Sequence, residues 1–336
     1  MTNNETETFD WSNETVMVTG AGGFIGSQLV ETLLKKGSRV HAFVRYNSRN
    51  DLGFLDGLKD TSDGLKISAG DIRDLDTVRK VAEGVSIIFH LAALVGIPYS
   101  YTHIHQVVEV NTIGTLNMLT AGRENGVKRL IHTSTSEVYG TARTVPISEL
   151  HPKQPQSPYS ASKIAADAIA LSCHLSFGLP VVICRPFNTY GPRQSDRAII
   201  PALIAQALQN DQIVVGNLTP TRDFTFVTDT VNGFIKMAES SACIGQEINL
   251  GTGHEISIGD LVSKIIEIVG RDVTVTQSAE RMRPVTSEVN HLCSDNTKAK
   301  QLAGWSPTVS LEDGLRSTID WIKSASHFYD PNQYRI

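Results

Sequence analysis

The chain has 336 residues, of which 40% are hydrophobic and 19% charged, with a formal net charge of -5 and an isoelectric point near 6.1. Such a chain can bury a sizeable core, and the composition excludes a disordered or fibrous protein. The mildly acidic balance gives no reason to expect nucleic acid or an anionic membrane as partner, so an anionic substrate would need a local basic pocket. Cys173, Cys184, Cys243 and Cys293 are far apart, without metal-ligand or disulfide-framework spacing, so buried reduced thiols and no metal are expected. Met1 to Asp10 is polar and acidic, unlike a secretory signal, and no apolar run approaches the roughly 20 residues that cross a bilayer. The expected location is the cytoplasm.

In chain order, Thr15 to Thr19 is a short β-branched run that reads as a buried strand. A glycine turn, Gly20-Ala-Gly-Gly23-Phe24-Ile25-Gly26, follows, and Phe24 to Lys36 has helical apolar spacing ended by Gly37. Arg39 to Val44, Leu65 to Ala69, Ser86 to Ala92, Arg129 to Ser134 and Val181 to Arg185 read as further strands with helices between them. Strands that alternate with helices and are apolar throughout imply a parallel sheet covered on both faces. After Arg185 the pattern changes. Helices are expected at 199–209, 229–239, 258–269 and 311–321, with a short strand at 222–227. Glu247 to Leu250 reads as a strand returning to the main sheet. His151 to Pro158 reads as a surface loop ahead of a helix.

The fold class is therefore α/β: a Rossmann doubly wound parallel sheet with a smaller, discontinuous C-terminal α/β substrate lobe. Residues 1–187, with about 228–253, form the expected NAD(P)-binding domain; 188–227 and 254–336 form the substrate lobe.

Three short stretches carry the chemistry. Gly20, Gly23 and Gly26 stand between a strand and a helix, where backbone amides and the helix dipole receive a pyrophosphate. At the end of the second strand Phe43-Val44-Arg45 offers an arginine and no acid, which favours NADP, with NAD as the alternative. Asp71 and Ile72, after the third strand, suit an adenine-contacting position. Tyr159 and Lys163 are four apart and share a helix face. A phenol with a solution pKa of about 10 is a poor base, and a lysine ammonium one turn away favours the phenolate. Such a base takes a proton from a sugar or alcohol hydroxyl while a hydride leaves the same carbon. Glu137 reads as a second, general base beside the substrate. Arg185, Arg193, Arg222, Arg281 and Arg283 are scattered through the substrate half, and bidentate donors of this kind suit a nucleotide diphosphate.

The glycine turn, His90-Leu91-Ala92-Ala93, Thr133-Ser-Thr-Ser-Glu-Val-Tyr-Gly140, Tyr159-x-x-x-Lys163 and Arg185-Pro-Phe-Asn188 together resemble the extended short-chain dehydrogenase/reductases that act on nucleotide sugars (the NAD-dependent epimerase/dehydratase family). The resemblance covers nearly the whole chain. Thr-Ser-Glu ahead of Val-Tyr-Gly is similar to the 4,6-dehydratases and uronic-acid decarboxylases. Gly96 to Tyr101, Pro155 to Lys163, Asn188 to Arg193 and Ser287 to Asn290 most resemble dehydratases acting on GDP- or UDP-N-acetylglucosamine in legionaminic-acid-type pathways.

The resemblance implies residue roles. Tyr159 takes the proton from the sugar 4-hydroxyl as hydride passes to the nicotinamide, and Lys163 tunes the tyrosine and holds the ribose. Thr135 bonds the 4-oxygen. Glu137 removes the acidified C5 proton, water leaves from C6, and hydride returns there. Ser136 stands where many 4,6-dehydratases place an aspartate that protonates the leaving hydroxyl. Serine is a far weaker acid, so Glu137 or a relayed water would do both jobs. Leu91, Ala92, Ala93 and Asn111 join the glycine turn, Arg45, Asp71 and Ile72 as cofactor contacts. Asn188, Arg193 and Arg222 are implied at the diphosphate, with Arg283 and Glu288 nearer the nucleoside. A homodimer through a four-helix bundle, built from the helices near Gln106–Arg123 and Tyr159–Ser176, is also implied. A decarboxylase, a 4-epimerase and, from another class, a cofactor-sensing binding module are the alternatives.

Overall fold

The computed structural model describes residues 9–58, 62–282 and 288–331. The first half alternates strand and helix: β1 (Thr15–Thr19), α1 (Phe24–Lys35), β2 (Arg39–Arg45), β3 (Leu65–Gly70), α2 (Leu75–Ala82), β4 (Ile87–His90), α3 (Ile97–Thr102), α4 (Ile104–Val108), α5 (Gly114–Glu124), β5 (Arg129–Thr133), α6 (Pro158–Phe177) and β6 (Val181–Pro186). Then come β7 (Asn188–Tyr190), α7 (Ile199–Gln209), β8 (Gln212–Val215), β9 (Thr221–Arg222), β10 (Phe224–Phe226), α8 (Val227–Glu239) and β11 (Glu247–Leu250). The chain closes with β12 (Ile256–Ser257), α9 (Ile258–Val269), β13 (Thr274–Gln277), β14 (His291–Leu292), α10 (Thr297–Ala303) and α11 (Leu311–Ser324).

Seven strands form one parallel sheet in the order β11-β6-β5-β4-β1-β2-β3. Successive residues of a strand point to opposite faces. Val16 and Val18 of β1 accordingly enter one apolar core, with Leu29 of α1, Val231 of α8 and Leu315 of α11. Met17 enters a second, with Val78 of α2, Met118 of α5 and Ala170 of α6. Both faces are covered, as continuous apolar runs require. The chain runs outward from β1 to β3 and then returns to β4 on the other side of β1. This reversal opens a crevice at the carboxyl ends of β1 and β4.

Glu247–Leu250 pairs with β6 and extends the sheet, as expected. The expected strand over 222–227 is instead two strands and a helix start. The buried Asp223 carboxylate accepts from the amides of Thr252, Gly253 and Ser294, which turns the chain between Arg222 and Phe224. The bridge continues through Arg222 to β12 and β14 and through Phe224 to β7, so one residue separates two small sheets. The loop ahead of α6 is less superficial than its composition suggests. His151 is buried, accepts from the amide of Arg143 and packs edge-on to Tyr139. Helix α6 itself starts sharply, with Ser157 capping the amide of Ser160 and Pro158 in the first turn, and ends at Gly178 with φ of 68°.

Asp229, in the first turn of α8, holds the C-terminal segment. Its carboxylate accepts from the amides of Thr308 and Val309 and from the Thr308 hydroxyl, while its carbonyl accepts from the Trp305 indole. Asp229→Ala leaves these buried donors unpaired and is expected to cost about 3 kcal/mol, measured as a lowered urea midpoint.

Candidate active site

A cleft of about 950 Å³ lies over the carboxyl ends of the parallel strands. One end is built by the glycine turn. Helix α1 begins at Gly23 without a side-chain cap, so its first-turn amides are left to an anion. Gly20 has φ of 68°, and a Cβ on Gly26 would collide with the Gly20 carbonyl. Gly20, Gly23, Phe24, Ile25 and Gly26 all line the cleft. An uncapped helix start under a cradle that a single Cβ would fill fits a dinucleotide pyrophosphate.

Arg45, Asp71, Ile72, Leu91, Ala92 and Ala93 continue this wall. The Asp71 carboxylate is engaged by Arg73, whose guanidinium also reaches Glu109; Arg73 holds its pKa below the usual range. The Leu91 and Ala92 amides are fixed from below, both donating to the Thr19 hydroxyl. That hydroxyl lies 2.8 Å from His90 Nδ1, and His90 Nε2 lies 3.1 Å from Thr115 Oγ1, which itself donates to the Asn111 carbonyl. The pattern assigns the proton to Nε2 and keeps His90 neutral, in agreement with the depression of its pKa by burial.

The other wall carries Thr133 to Glu137, on and just beyond β5, and Tyr159 from α6. A 3-10 turn over Ser136–Tyr139, capped by the Thr135 hydroxyl accepting from the Glu137 amide, aims the Glu137 side chain at the cleft. The Glu137 carboxylate has no hydrogen-bond or ion-pair partner among the described residues. The neighbouring Thr135 hydroxyl favours the Tyr159 phenolate, but burial outweighs it and pushes the phenol pKa up. The expected push toward phenolate by Lys163 is thus not the controlling effect in this structure. Lys163 is buried, its Nζ donates to the Thr133 carbonyl at 2.7 Å, and burial lowers its pKa to about 8 against the support of Asp167.

Not every expected residue reaches the cleft. Lys163 stands behind Tyr159. Asn111 is spent on the Leu94 backbone and on Ser162, so its side chain shapes the cleft wall and does not line it. Arg193 is a strut: its guanidinium donates to Ser27 and Glu31 on α1 and lies over the rings of Phe54 and Trp321. Arg185 is fully buried between Asp167 and Glu247 and cannot meet a substrate. Arg283 lies outside the described residues. Asn188, Arg222 and Glu288 do line the cleft, with Arg222 Nη2 3.2 Å from Glu288 and Nη1 bonded to the Val289 carbonyl. Arg197, in the loop just before α7, also lines it. The only sequence signal for Arg197 is its place ahead of an uncapped helix start.

Gly26→Ala is expected to abolish nicotinamide-dinucleotide binding, read by calorimetric titration, because the added methyl displaces the turn. Acid sensitivity follows from His132, which burial holds at about 4. The unfolded chain takes up that proton near 6.5, so stability falls as pH drops from about 6.5 to about 4, by about 3 kcal/mol. Urea titrations across this range check the slope, which His132→Asn should reduce.

The chain matches the family described as GDP-mannose 4,6 dehydratase over residues 17–318. It is 34% identical over 318 residues to a UDP-glucose 4-epimerase of Mycolicibacterium smegmatis, covering 92% of this chain and 99% of that protein. It is 32% identical over 324 residues to a dTDP-glucose 4,6-dehydratase of Streptomyces griseus, covering 94% and 96%. Among solved structures, a UDP-glucuronic acid 4-epimerase of Bacillus cereus in complex with a fluorinated substrate analogue and NAD superposes with a TM-score of 0.86 and 32% identity, covering 93% of this chain and 99% of that one. With its glycine cradle, its Tyr159 and Lys163 helix and its cleft at the strand ends, the chain belongs to the GDP-mannose 4,6-dehydratase family of Rossmann-fold nucleotide-sugar dehydratases and epimerases.

Proposed function

We propose that the protein is a nucleotide-sugar 4,6-dehydratase acting on GDP- or UDP-linked N-acetylglucosamine, held between the sheet domain (to 187, with 228–253) and the lobe formed by 188–227 and the residues after 254. The observation that carries the reading is the Glu137 carboxylate, without a partner among the described residues, beside Thr135 and Tyr159 in the cleft lining. An epimerase has no need of a base at that point. The cleft segments 91–97, 133–137 and 186–190, which leave the three adjoining strands, bring no lysine or arginine to the lining. That favours an uncharged C6 hydroxymethyl over a uronate.

A nicotinamide dinucleotide held by the glycine turn would supply the acceptor for the C4 hydride and the donor of a hydride to C6, with solvent supplying the proton that C5 then takes up. Tyr159, whose ionisation burial opposes in the cofactor-free protein, accepts the 4-hydroxyl proton in its phenolate form, with the Thr135 hydroxyl beside it at the sugar oxygen. The resulting ketone acidifies the C5 hydrogen, which Glu137 removes. Ser136 cannot act as an acid at neutral pH, so Glu137 returns the proton to the departing hydroxyl and water leaves. Arg197, Arg222 and Asn188 bind the diphosphate. The serine also supports a second reading: decarboxylation of a uronic acid requires no proton for a leaving hydroxyl.

For the cofactor we favour NADP, because Arg45 stands exposed at the tip of β2 while Asp71 is occupied by Arg73. Arg45→Ala should weaken NADP binding about tenfold and leave NAD binding unchanged, measured by titration. The homodimer belongs to this proposal as well. Tyr101, Ile104, Val108, Ile113 and Leu116 on or between α3 and α5, and Leu175 and Phe177 on α6, are exposed apolar residues suited to a helical interface.

The test is to incubate the purified protein with GDP-GlcNAc and UDP-GlcNAc, without added reductant, and follow product mass. Loss of one water, with cofactor unconsumed, is expected from one of them. Glu137→Gln should reduce turnover by at least about 100-fold with dinucleotide affinity intact. Unchanged mass from both sugars overturns the reading, and carbon dioxide release from a uronic-acid sugar would replace it with the second.

A further inference from the structure

Beneath Tyr159 and Lys163 lies a group of buried charges that the proposed chemistry does not use. Asp167 is one turn beyond Lys163 on α6 and is completely buried. Its Oδ2 accepts from the Ser134 hydroxyl at 2.9 Å and from Arg185 Nη2 at 2.9 Å. Arg185, also completely buried, reaches Glu247 Oε1 on β11 at 2.6 Å and the Tyr139 hydroxyl at 2.8 Å. Glu247 in turn meets Lys153 at 2.5 Å, in the loop ahead of α6. The signs alternate from the active-site helix to the sheet edge: Lys163, Asp167, Arg185, Glu247, Lys153.

Of two buried cations, Arg185 is paired directly with the one fully buried anion, and Lys163, one turn before Asp167 on the same helix face, has no carboxylate within ion-pair distance among the described residues. An uncompensated ammonium in such a site would lose its proton. The hydrogen-bonding partner of Lys163, the Thr133 carbonyl, is neutral, and Asp167, buried one turn further along the same helix face, is the anion placed to compensate its charge at longer range. The anion is in turn held in place by Ser134, from the same Thr133–Glu137 segment that lines the cleft.

We propose that Asp167 is a positioning residue which keeps Lys163 in its ammonium form behind the cleft, with Arg185 and Glu247 determining how much of its charge Lys163 receives. The inference deepens the reading of Tyr159 and Lys163 as the oxidation machinery, and it rests on that reading for its functional meaning. The other groups facing Lys163 do not supply this charge. His90 from β4 and His132 from β5 are buried and neutral, their rings stacked 5.8 Å apart. His132 Nε2 lies 3.3 Å from Asp167 Oδ1, without the alignment of a hydrogen bond. Glu137 and Tyr139 come from the 3-10 turn, Arg185 from β6 and Tyr159 from α6. Asn111 and Thr112, ahead of α5, present neutral polar groups to α6. The depressed pKa of Lys163, supported mainly by Asp167, agrees with this arrangement.

The decisive measurement is made on the cofactor-free protein, so that it stands apart from the identity of the substrate. The 13Cε resonance of Lys163, assigned by Lys163→Arg, is titrated by NMR in the wild type and in Asp167→Asn. The isosteric amide keeps the shape, and Arg185 keeps Glu247 and Tyr139, so the variant should fold. Its Lys163 midpoint is expected to fall by about one pH unit from that of the wild type. In the turnover assay the alkaline limb should move down by the same amount with KM unchanged. A lowered melting temperature with an unmoved Lys163 midpoint overturns the proposal and leaves Asp167 a structural ion-pair partner. Should Asp167→Asn fail to fold, Glu247→Gln at the partly exposed sheet edge is titrated instead. A smaller fall in the same direction supports the proposal, and no fall overturns it. A shifted midpoint in a protein that dehydrates neither sugar upholds the role of Asp167 and removes the dehydratase reading alone.

Discussion

The placement of one buried carboxylate, Asp167, governs the geometry of the cleft. Helix α6 is long and apolar on several sides, so hydrophobic packing alone would leave its rotation and axial position loosely defined. A hydrogen-bonded ion pair is directional in a way that apolar contact is not. Asp167 joins α6 to Ser134 beyond the end of β5 and to Arg185 on β6, and Arg185 passes the constraint to Glu247 on β11. Three adjacent elements of the sheet are thereby referred to one point on the helix. Tyr159 stands two turns before that point, and its approach to Thr135 at the cleft depends on the same register.

Such an arrangement costs stability. Moving charges from water into a protein interior is expensive, and a buried pair seldom returns more than it loses. Lys163 shows the residue of that cost, since its pKa is depressed to about 8 even with Asp167 nearby. Below that pH the folded protein carries a buried ammonium that the unfolded chain would hold in water. The two neutral histidines of β4 and β5 act in the same direction on acidification. The covered sheet, with apolar cores on both faces, offsets these losses.

The two ends of the cleft handle charge differently. The glycine end presents the uncapped backbone amides at the start of α1, which carry no side-chain entropy. The far end presents arginines, each partly occupied within the protein: Arg222 by Glu288 and the Val289 carbonyl, and Arg281 by the Val214 carbonyl. A guanidinium held this way is already oriented when an anion arrives. Arg193 illustrates the opposite outcome. It adopts a left-handed backbone, φ of 73°, and turns its guanidinium to Glu31 and the rings of Phe54 and Trp321. It braces the first Rossmann helix against the last helix of the chain.

What the sequence determined by itself was whatever depends on local pattern. Continuous apolar runs separated by helical spacing define the parallel sheet, and Glu247–Leu250 was recognisable as its returning strand. The glycine turn was legible because its position between β1 and α1 follows from adjacent residues. The Thr135, Glu137 and Tyr159 grouping was legible through the family resemblance that these motifs carry. Only the tertiary structure decided which arginines face the cleft, because a side chain's direction depends on partners far away in sequence. Arg185 meets Asp167 and Glu247, Arg193 meets Glu31, and Arg197 is left to line the cavity; all three look alike as text. Likewise Asn111 is polar and near the cofactor motif, yet the Leu94 backbone claims it. The break at Asp223 was hidden for the same reason: its carboxylate is satisfied by amides of Thr252, Gly253 and Ser294, contacts that no local periodicity encodes.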